Sequence, residues 1–303
     1  MRAAGAAAVD AGKVAAAPHA GPSAAVPTLT PAQAAALCEI MRSVSGVRID
    51  AAKRSFLELR VGRRLQATGL ADFTAYLAHL TQPAGASERR HLAEALLTHT
   101  TAFFRERAHY DWLAGEGIAR LTELGAGRAW PLTVWSAACS SGAEMWSAAM
   151  VLDRAGRRRV GGLRWGVVGT DMSRRILRRA ATAIFTEDEI DGLGTEQRQR
   201  YLMRSRSGDR PRYRIVPELR ARARLAWANL AEPARGPAIT ADIAFLRNVL
   251  IYFPPADQPG IAAGVAARLR PGGFLVTGHA EALARVPDGL VQVAPTLYRK
   301  ERA

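Results

Sequence analysis

A chain of 303 residues is long enough to bury one sizeable core and a smaller domain, and its 49% hydrophobic content is that of a globular protein. No run approaches the ~18–20 uninterrupted apolar residues of a membrane-spanning helix, and the two cysteines, Cys38 and Cys139, exclude a disulfide framework or a cysteine-rich metal site and favour a reducing cytoplasm. The formal charge of +15 alone gives attraction to any polyanion, yet Lys13, Lys53 and Lys300 are the only lysines, and this heavy Arg and Ala usage reflects a GC-rich coding bias as readily as a nucleic-acid partner.

Residues 1–27 are mostly Ala, Gly and Pro and lack the bulky apolar core of a secretory signal; the expectation is a disordered tail, or a start codon placed too early. Thr30 followed by Pro31 predicts a helix start, Leu37, Ile40 and Met41 recur at helical spacing, and the helix should stop near Gly46. Asp50 is the expected cap of a second helix with Phe56, Leu59 and Leu65 near one face. Lys53, Arg60 and Arg64 fall at i, i+7 and i+11 and form a basic stripe on another face. A third helix is predicted over 71–80, a turn over 82–87 and a further helix over 91–98. Residues 28–104 thus read as an N-terminal helical domain.

Past Gly125 and Gly127 the pattern alternates. Strands are predicted at 132–138, 164–170, 225–229, 243–246 and 274–278, with helices at 145–152 and 173–183 between them. Such alternation predicts an α/β domain over 105–303 built on a doubly wound, Rossmann-like parallel sheet. Between Tyr201 and Arg224 it breaks, and a β-hairpin insertion at about 203–222 is expected.

Five places in this frame carry chemistry. Small residues at Ala137, Ala138, Ser140, Ser141 and Gly142 let the backbone of the first strand–helix turn approach a ligand, and Glu144 beyond them is either a dipole-favoured acid or an acceptor for a cationic amine. Asp171, ending the second strand about 30 residues on, is a ribose-binding acid or a simple N-cap. Asn229 and Leu230 end the third strand, where an amide and an apolar side chain suit an adenine ring. Arg247 and Asn248 end the fourth; burial without polar partners would cost on the order of 1–3 kcal/mol, so partners are expected. Tyr252-Phe253 precedes Pro254-Pro255, the reverse of the run that marks methylation of nucleic-acid amines. Thr101 and Arg105, four apart, share a face if helical, and the guanidinium suits a carboxylate.

Taken in order, Thr98-His-Thr-Thr-Ala-Phe-Phe-Arg105, Val134-Trp-Ser-Ala-Ala-Cys-Ser-Ser-Gly-Ala-Glu144 and Leu246-Arg-Asn-Val-Leu-Ile-Tyr-Phe253 resemble the CheR family of chemotaxis-receptor glutamate methyltransferases. The likeness runs from about Thr28 to Arg299 and includes Gly278-His-Ala-Glu281. It implies an S-adenosylmethionine-dependent methyltransferase sheet, with Thr101, Arg105, Glu144, Asp171, Asn229, Leu230, Arg247 and Asn248 around the cofactor. Glu144 would meet its amino-acid part and Asp171 its ribose, while Arg105 and Tyr252 would flank the transferred methyl. The hairpin near 204–219 would correspond to the family's receptor-docking subdomain. Methyl-accepting receptors would be the substrates, and Lys53, Arg60 and Arg64 a dock for their acidic helices, with a solvated helix face as the plain alternative. The expected products are glutamate methyl esters and S-adenosylhomocysteine, made by a cytoplasmic monomer without a metal, a specific nucleic-acid partner or membrane insertion. His99, Ala143 and Ala280 stand where the family usually has Asn, Glu and Ser. His99 and Ala143 motivate one alternative, a cofactor-binding regulator without turnover; the net charge motivates another, a nucleic-acid methyltransferase.

Overall fold

The computed structural model describes residues 28–206 and 210–302; the tail expectation for 1–27 lies outside them. The helical segment contains α1 (Pro31–Ser45), α2 (Arg54–Thr68), α3 (Phe73–Thr81) and α4 (Ala86–Leu96). Thr30 caps α1 through a reciprocal box with Gln33, and Gly46 ends it at φ +75°. A Cβ at Gly46 would stand 2.6 Å from Ala231 Cβ, so glycine also lets the end of α1 lie against the sheet domain. Asp50 is not the cap of α2: its carboxylate takes the Ala52 N–H in a preceding turn, and Lys53 holds the cap position without a side-chain bond. The buried face of α2 is Leu57, Val61 and Leu65, while Leu59 is exposed. Helix α4 starts earlier than predicted and ends at Leu96, so 97–107 is extended chain and turns.

The chain continues through α5 (Ala108–Trp112) and α6 (Ile118–Glu123), then β1 (Leu132–Ser136), α7 (Ala143–Arg158), β2 (Trp165–Asp171), α8 (Arg174–Thr182) and β3 (Ile184–Phe185). After these come α9 (Thr195–Tyr201), β4 (Leu202–Arg204), β5 (Tyr213–Ile215), α10 (Pro217–Arg220), β6 (Ala223–Trp227) and β7 (Ala241–Leu246). Helix α11 (Gln258–Ala266), β8 (Leu269–Thr277), β9 (Leu290–Ala294) and β10 (Leu297–Lys300) complete it. Seven strands form one sheet in the order β6-β2-β1-β7-β8-β10-β9, parallel from β6 to β8 and closed by antiparallel β10 and β9. The insertion is larger than a hairpin: β4 and β5 pair as predicted, and β3, contributed from before α9, makes a three-stranded antiparallel sheet.

Alternation along the strands sets the two faces. Val134, Val167, Ile243 and Phe245 pack with α7 and the α5–α6 segment on one side. Trp135, Ala244, Leu246 and Leu275 face α11, and their cluster continues without interruption into Leu37, Met41, Leu57 and Tyr76 of the helical segment. The helical segment therefore shares its core with the sheet instead of hanging from it, and this fixes it over the carboxyl ends of the strands.

Candidate functional site

Strands β6, β2, β1 and β7 end in a cleft of about 380 Å³, whose opposite wall is the α1–α2 connection and residues 96–105. The chain crosses from the β2 side of β1 to the β7 side here, the switch point at which open α/β sheets place ligands. Thr101, Arg105, Glu144, Asp171, Asn229, Leu230, Arg247, Asn248 and Tyr252 all line it, as does Lys53. Gly142, at φ +95°, makes the β1–α7 turn tight enough to aim the first turn of α7 into the cleft.

At one end, Glu144 and Arg247 form a buried pair. Glu144 accepts from the Ser136 hydroxyl at 2.7 Å and from Arg247 Nη1 at 3.0 Å. Burial pushes the Glu144 carboxyl up, against the opposing pull of Arg247 and Ser136. The Arg247 side chain is 1% exposed and is also held by the Tyr110 hydroxyl, the Arg105 carbonyl and Glu106, with Tyr110 and Phe245 stacked on the guanidinium. Its Nε alone lacks a partner. An acid with spare lone pairs beside an unpaired N–H complements an amino-acid zwitterion.

At the other end stands Asp171, which receives the Ser140 N–H at 3.0 Å and the Ser173 N–H at 2.9 Å. Burial raises its pKa to about 6, against the pull of those backbone donors. The Ser140 hydroxyl donates to the His99 carbonyl, tying the 96–105 wall to this turn. His99 lines the cleft with a buried, unpartnered Nε2; burial, then Arg175 and Arg60, lowers its pKa to about 4, so it stays neutral.

Thr101 and Arg105 reach the cleft from an irregular turn, not from one face of a helix. The turn is pinned by Phe103 against Phe185 and Phe104 against Tyr110, and the Phe104 N–H donates to Ser147. Arg105 is exposed and lines the cleft, and its one side-chain hydrogen bond among the described residues is a 3.4 Å bond to the Thr100 carbonyl. Asn229 does not offer a free amide: Nδ2 donates to the Val44 carbonyl and Glu232, and Oδ1 accepts from the Ala231 N–H. Its neighbour Leu230 lines the cleft. Arg64 leaves the expected basic stripe, because it forms a two-armed pair with Glu88 at 2.8 and 2.7 Å, shared with the Tyr76 hydroxyl. Lys53 remains exposed, and Arg60 is half-buried, over Phe56 and near the Ala95 carbonyl.

Two further acids stand behind the cleft, Glu106 and Glu281. Glu106 accepts from Arg247, the Asn248 amide and the His279 N–H. Glu281 accepts the N–H groups of Asn248, Gly278 and Ile251, fixing the turn that carries Tyr252. Their signal was position: Glu106 directly follows Arg105, and Glu281 closes the Gly278-His-Ala-Glu281 run. Phe104, Glu106, Ser140 and Asn248 all have positive φ, so strain gathers around the site.

Two family models match the chain: CheR methyltransferase, SAM binding domain, over residues 99–298, and CheR methyltransferase, all-alpha domain, over residues 32–97. The chain is 34% identical over 245 residues to the chemotaxis protein methyltransferase of Salmonella typhimurium, covering 81% of this chain and 82% of that protein. Against the chemotaxis protein methyltransferase of Escherichia coli (strain K12) the identity is 31% over 262 residues, covering 86% and 88%. It is 30% over 262 residues, covering 86% and 90%, for chemotaxis protein methyltransferase 2 of Pseudomonas aeruginosa. Both matched domains contribute to the cleft, and on this coverage the chain belongs to the CheR methyltransferase family.

Proposed function

We propose that the protein transfers a methyl group from S-adenosylmethionine to glutamate side chains on the cytoplasmic helices of chemoreceptors. The observation that carries this reading is Arg105: a guanidinium lining the same cleft as Tyr252, with no carboxylate of its own among the described residues. When bound, the sulfonium supplies an activated methyl, and the carboxylate oxygen that takes it leaves a neutral thioether behind. A glutamate with pKa near ~4.3 is already ionised at neutral pH, so the protein need only hold and aim it. In keeping with this, no histidine–carboxylate hydrogen bond faces the cleft among the described residues. The orphaned Arg247 Nε and His99 Nε2 fit a ligand rich in polar atoms, and Glu144 suits its ammonium. The test is a tritiated cofactor assay on receptor-bearing membranes. Alkali should release the label from the receptor band as volatile methanol; alkali-stable label would point to a different acceptor.

Asp171 gives the cofactor site a pH dependence. Ribose hydroxyls donate to a carboxylate, and protonation near pH 6 removes an acceptor, so affinity should fall as pH drops through about 6. Calorimetric titration between pH 5 and 8 should show this slope in the wild type. Asp171→Asn should be weak and flat across the range, and a matching slope in that variant would remove Asp171 from the role.

Receptor docking is expected at Lys53, exposed on the cleft wall, and at Arg60, half-buried two turns along α2, without Arg64. Charge reversal in an Arg60→Glu variant should raise KM for receptor severalfold and leave cofactor affinity unchanged. An unchanged KM would reduce this face to a solvated surface.

A further inference from the structure

Behind the Arg247 end of the cleft, His109, His279 and Glu106 converge, and neither imidazole takes part in the methyl-transfer geometry described above. Each offers one ligand atom, all within 4.8 Å of one another. Sequence spacing hides the group, because His279 arrives from the β8 end of the sheet. The His109 residue is 8% exposed, its Nε2 is bonded to Thr296 Oγ1 at 3.1 Å, and its Nδ1 has no hydrogen-bond partner. That orphaned Nδ1 lies 3.4 Å from Glu106 Oε2. Tetrahedral bonds of about 2.0–2.1 Å put neighbouring ligand atoms about 3.3 Å apart, so two of the three ligands already stand at metal-site separation. The third, His279, is exposed with its ring centroid 4.9 Å from that of His109, and a side-chain rotation closes the remaining gap. Its exposure also leaves a path for an ion and a coordination position for water.

Charge around the group is mixed: the buried Arg247 guanidinium repels a cation at His109, Glu106 attracts one, and Glu144 and Glu281 stand close behind. The Thr296 bond at Nε2 fixes the His109 ring, the outer support that metal-binding imidazoles usually have. We propose that Glu106, His109 and His279 form a site for a divalent transition metal of the zinc class, and that its occupancy opposes cofactor binding. Two imidazoles and one carboxylate suit Zn²⁺ or Co²⁺ better than Mg²⁺ or Ca²⁺, which prefer all-oxygen shells. The opposition follows from Glu106 Oε2, which also receives Arg247 Nη2 at 3.2 Å and the His279 N–H at 3.2 Å. A metal on that oxygen loosens its hold on Arg247, and coupling between two ligands must be reciprocal.

The coupling rests on the methyltransferase reading; the metal site does not, and the experiment separates them. Tag-free protein is titrated with Co²⁺ and followed by visible absorption, then Zn²⁺ uptake is measured by equilibrium dialysis. One equivalent should bind with tetrahedral Co²⁺ bands, and His279→Ala should weaken Zn²⁺ by at least about tenfold. His91→Ala, which removes an exposed imidazole beside Glu88, serves as the control and should bind as the wild type does. Absence of stoichiometric uptake, or equal affinity in His279→Ala and wild type, overturns the site. Zn²⁺ should also raise the S-adenosylmethionine Kd of the wild type but not of His279→Ala. An unchanged Kd with metal bound overturns the opposition, whereas failure of metal-free protein to bind cofactor would count against the methyltransferase reading alone.

Discussion

Replacing Arg105 with alanine should lower the rate of methyl transfer by at least about 10²-fold while leaving the protein folded. Arg105 is exposed and lines the cleft, and its side chain makes a single long hydrogen bond to the Thr100 carbonyl, so its loss should cost stability no more than about 0.5 kcal/mol. Its backbone is another matter, since the Arg105 carbonyl accepts from Arg247, but alanine preserves that carbonyl. Under the proposed mechanism the acceptor is ionised beforehand and catalysis is alignment, so the group that aligns it carries much of the barrier reduction. Turnover should therefore fall far more than cofactor affinity. Arg105→Lys should recover only part of the rate, because an ammonium lacks the two-armed fork that fixes a carboxylate plane. Single-turnover kinetics with saturating cofactor, together with thermal unfolding, make the measurement. A folded Arg105→Ala enzyme retaining most of its rate would take orientation of the acceptor away from this residue.

Much of this site could be found in the sequence because its residues end strands. Asp171 and Arg247 end or follow a short apolar run and Glu144 opens the helix after one, and parallel topology then brings strand ends together whatever their distance along the chain. The family likeness supplied what strand position could not, namely that Thr101 and Arg105 reach the same cleft from a segment of irregular backbone. Partnership was not legible. Arg64 reads as a free cation by spacing, but Glu88, 24 residues away, and the Tyr76 hydroxyl close on it once α2, α3 and α4 pack. Asn229 looks available for a ligand until the end of α1 brings the Val44 carbonyl to its amide. Strand β3 was missed because two residues give no periodicity, and β9 and β10 because both are short and neither alternates in burial: β9 is exposed after Leu290, and β10 buries only Leu297 and Tyr298. The shared core between the helical segment and the sheet was equally out of reach, being a matter of which apolar faces meet.

Arg247→Met should be the most disruptive single change in the cleft. The side chain has almost no contact with water, so methionine keeps much of its volume yet leaves buried Glu144 and part-buried Glu106 without their cation. Breaking a buried ion pair from one side costs about 3–5 kcal/mol, a large part of the ~5–15 kcal/mol that holds an ordinary domain together. Cofactor affinity should be lost with it, since the orphaned Nε disappears and Glu144 is released from its position. The two losses can be separated. In Arg247→Met/Glu144→Gln the uncompensated charge at Glu144 is gone, so stability should return in part while cofactor affinity stays low. The acid side gives a second check. Burial already raises the folded-state pKa of Glu144, and without the guanidinium it rises further while Glu106 loses part of the pull that lowers it; a carboxyl shifted upward stabilises at low pH and loses the contribution as pH rises. Denaturant unfolding should accordingly show a wide gap between wild type and Arg247→Met at pH 7.5 and a narrower one at pH 5. Equal stability at pH 7.5 would mean that Glu144 and Glu106 find other partners, and that the guanidinium serves the ligand and not the fold.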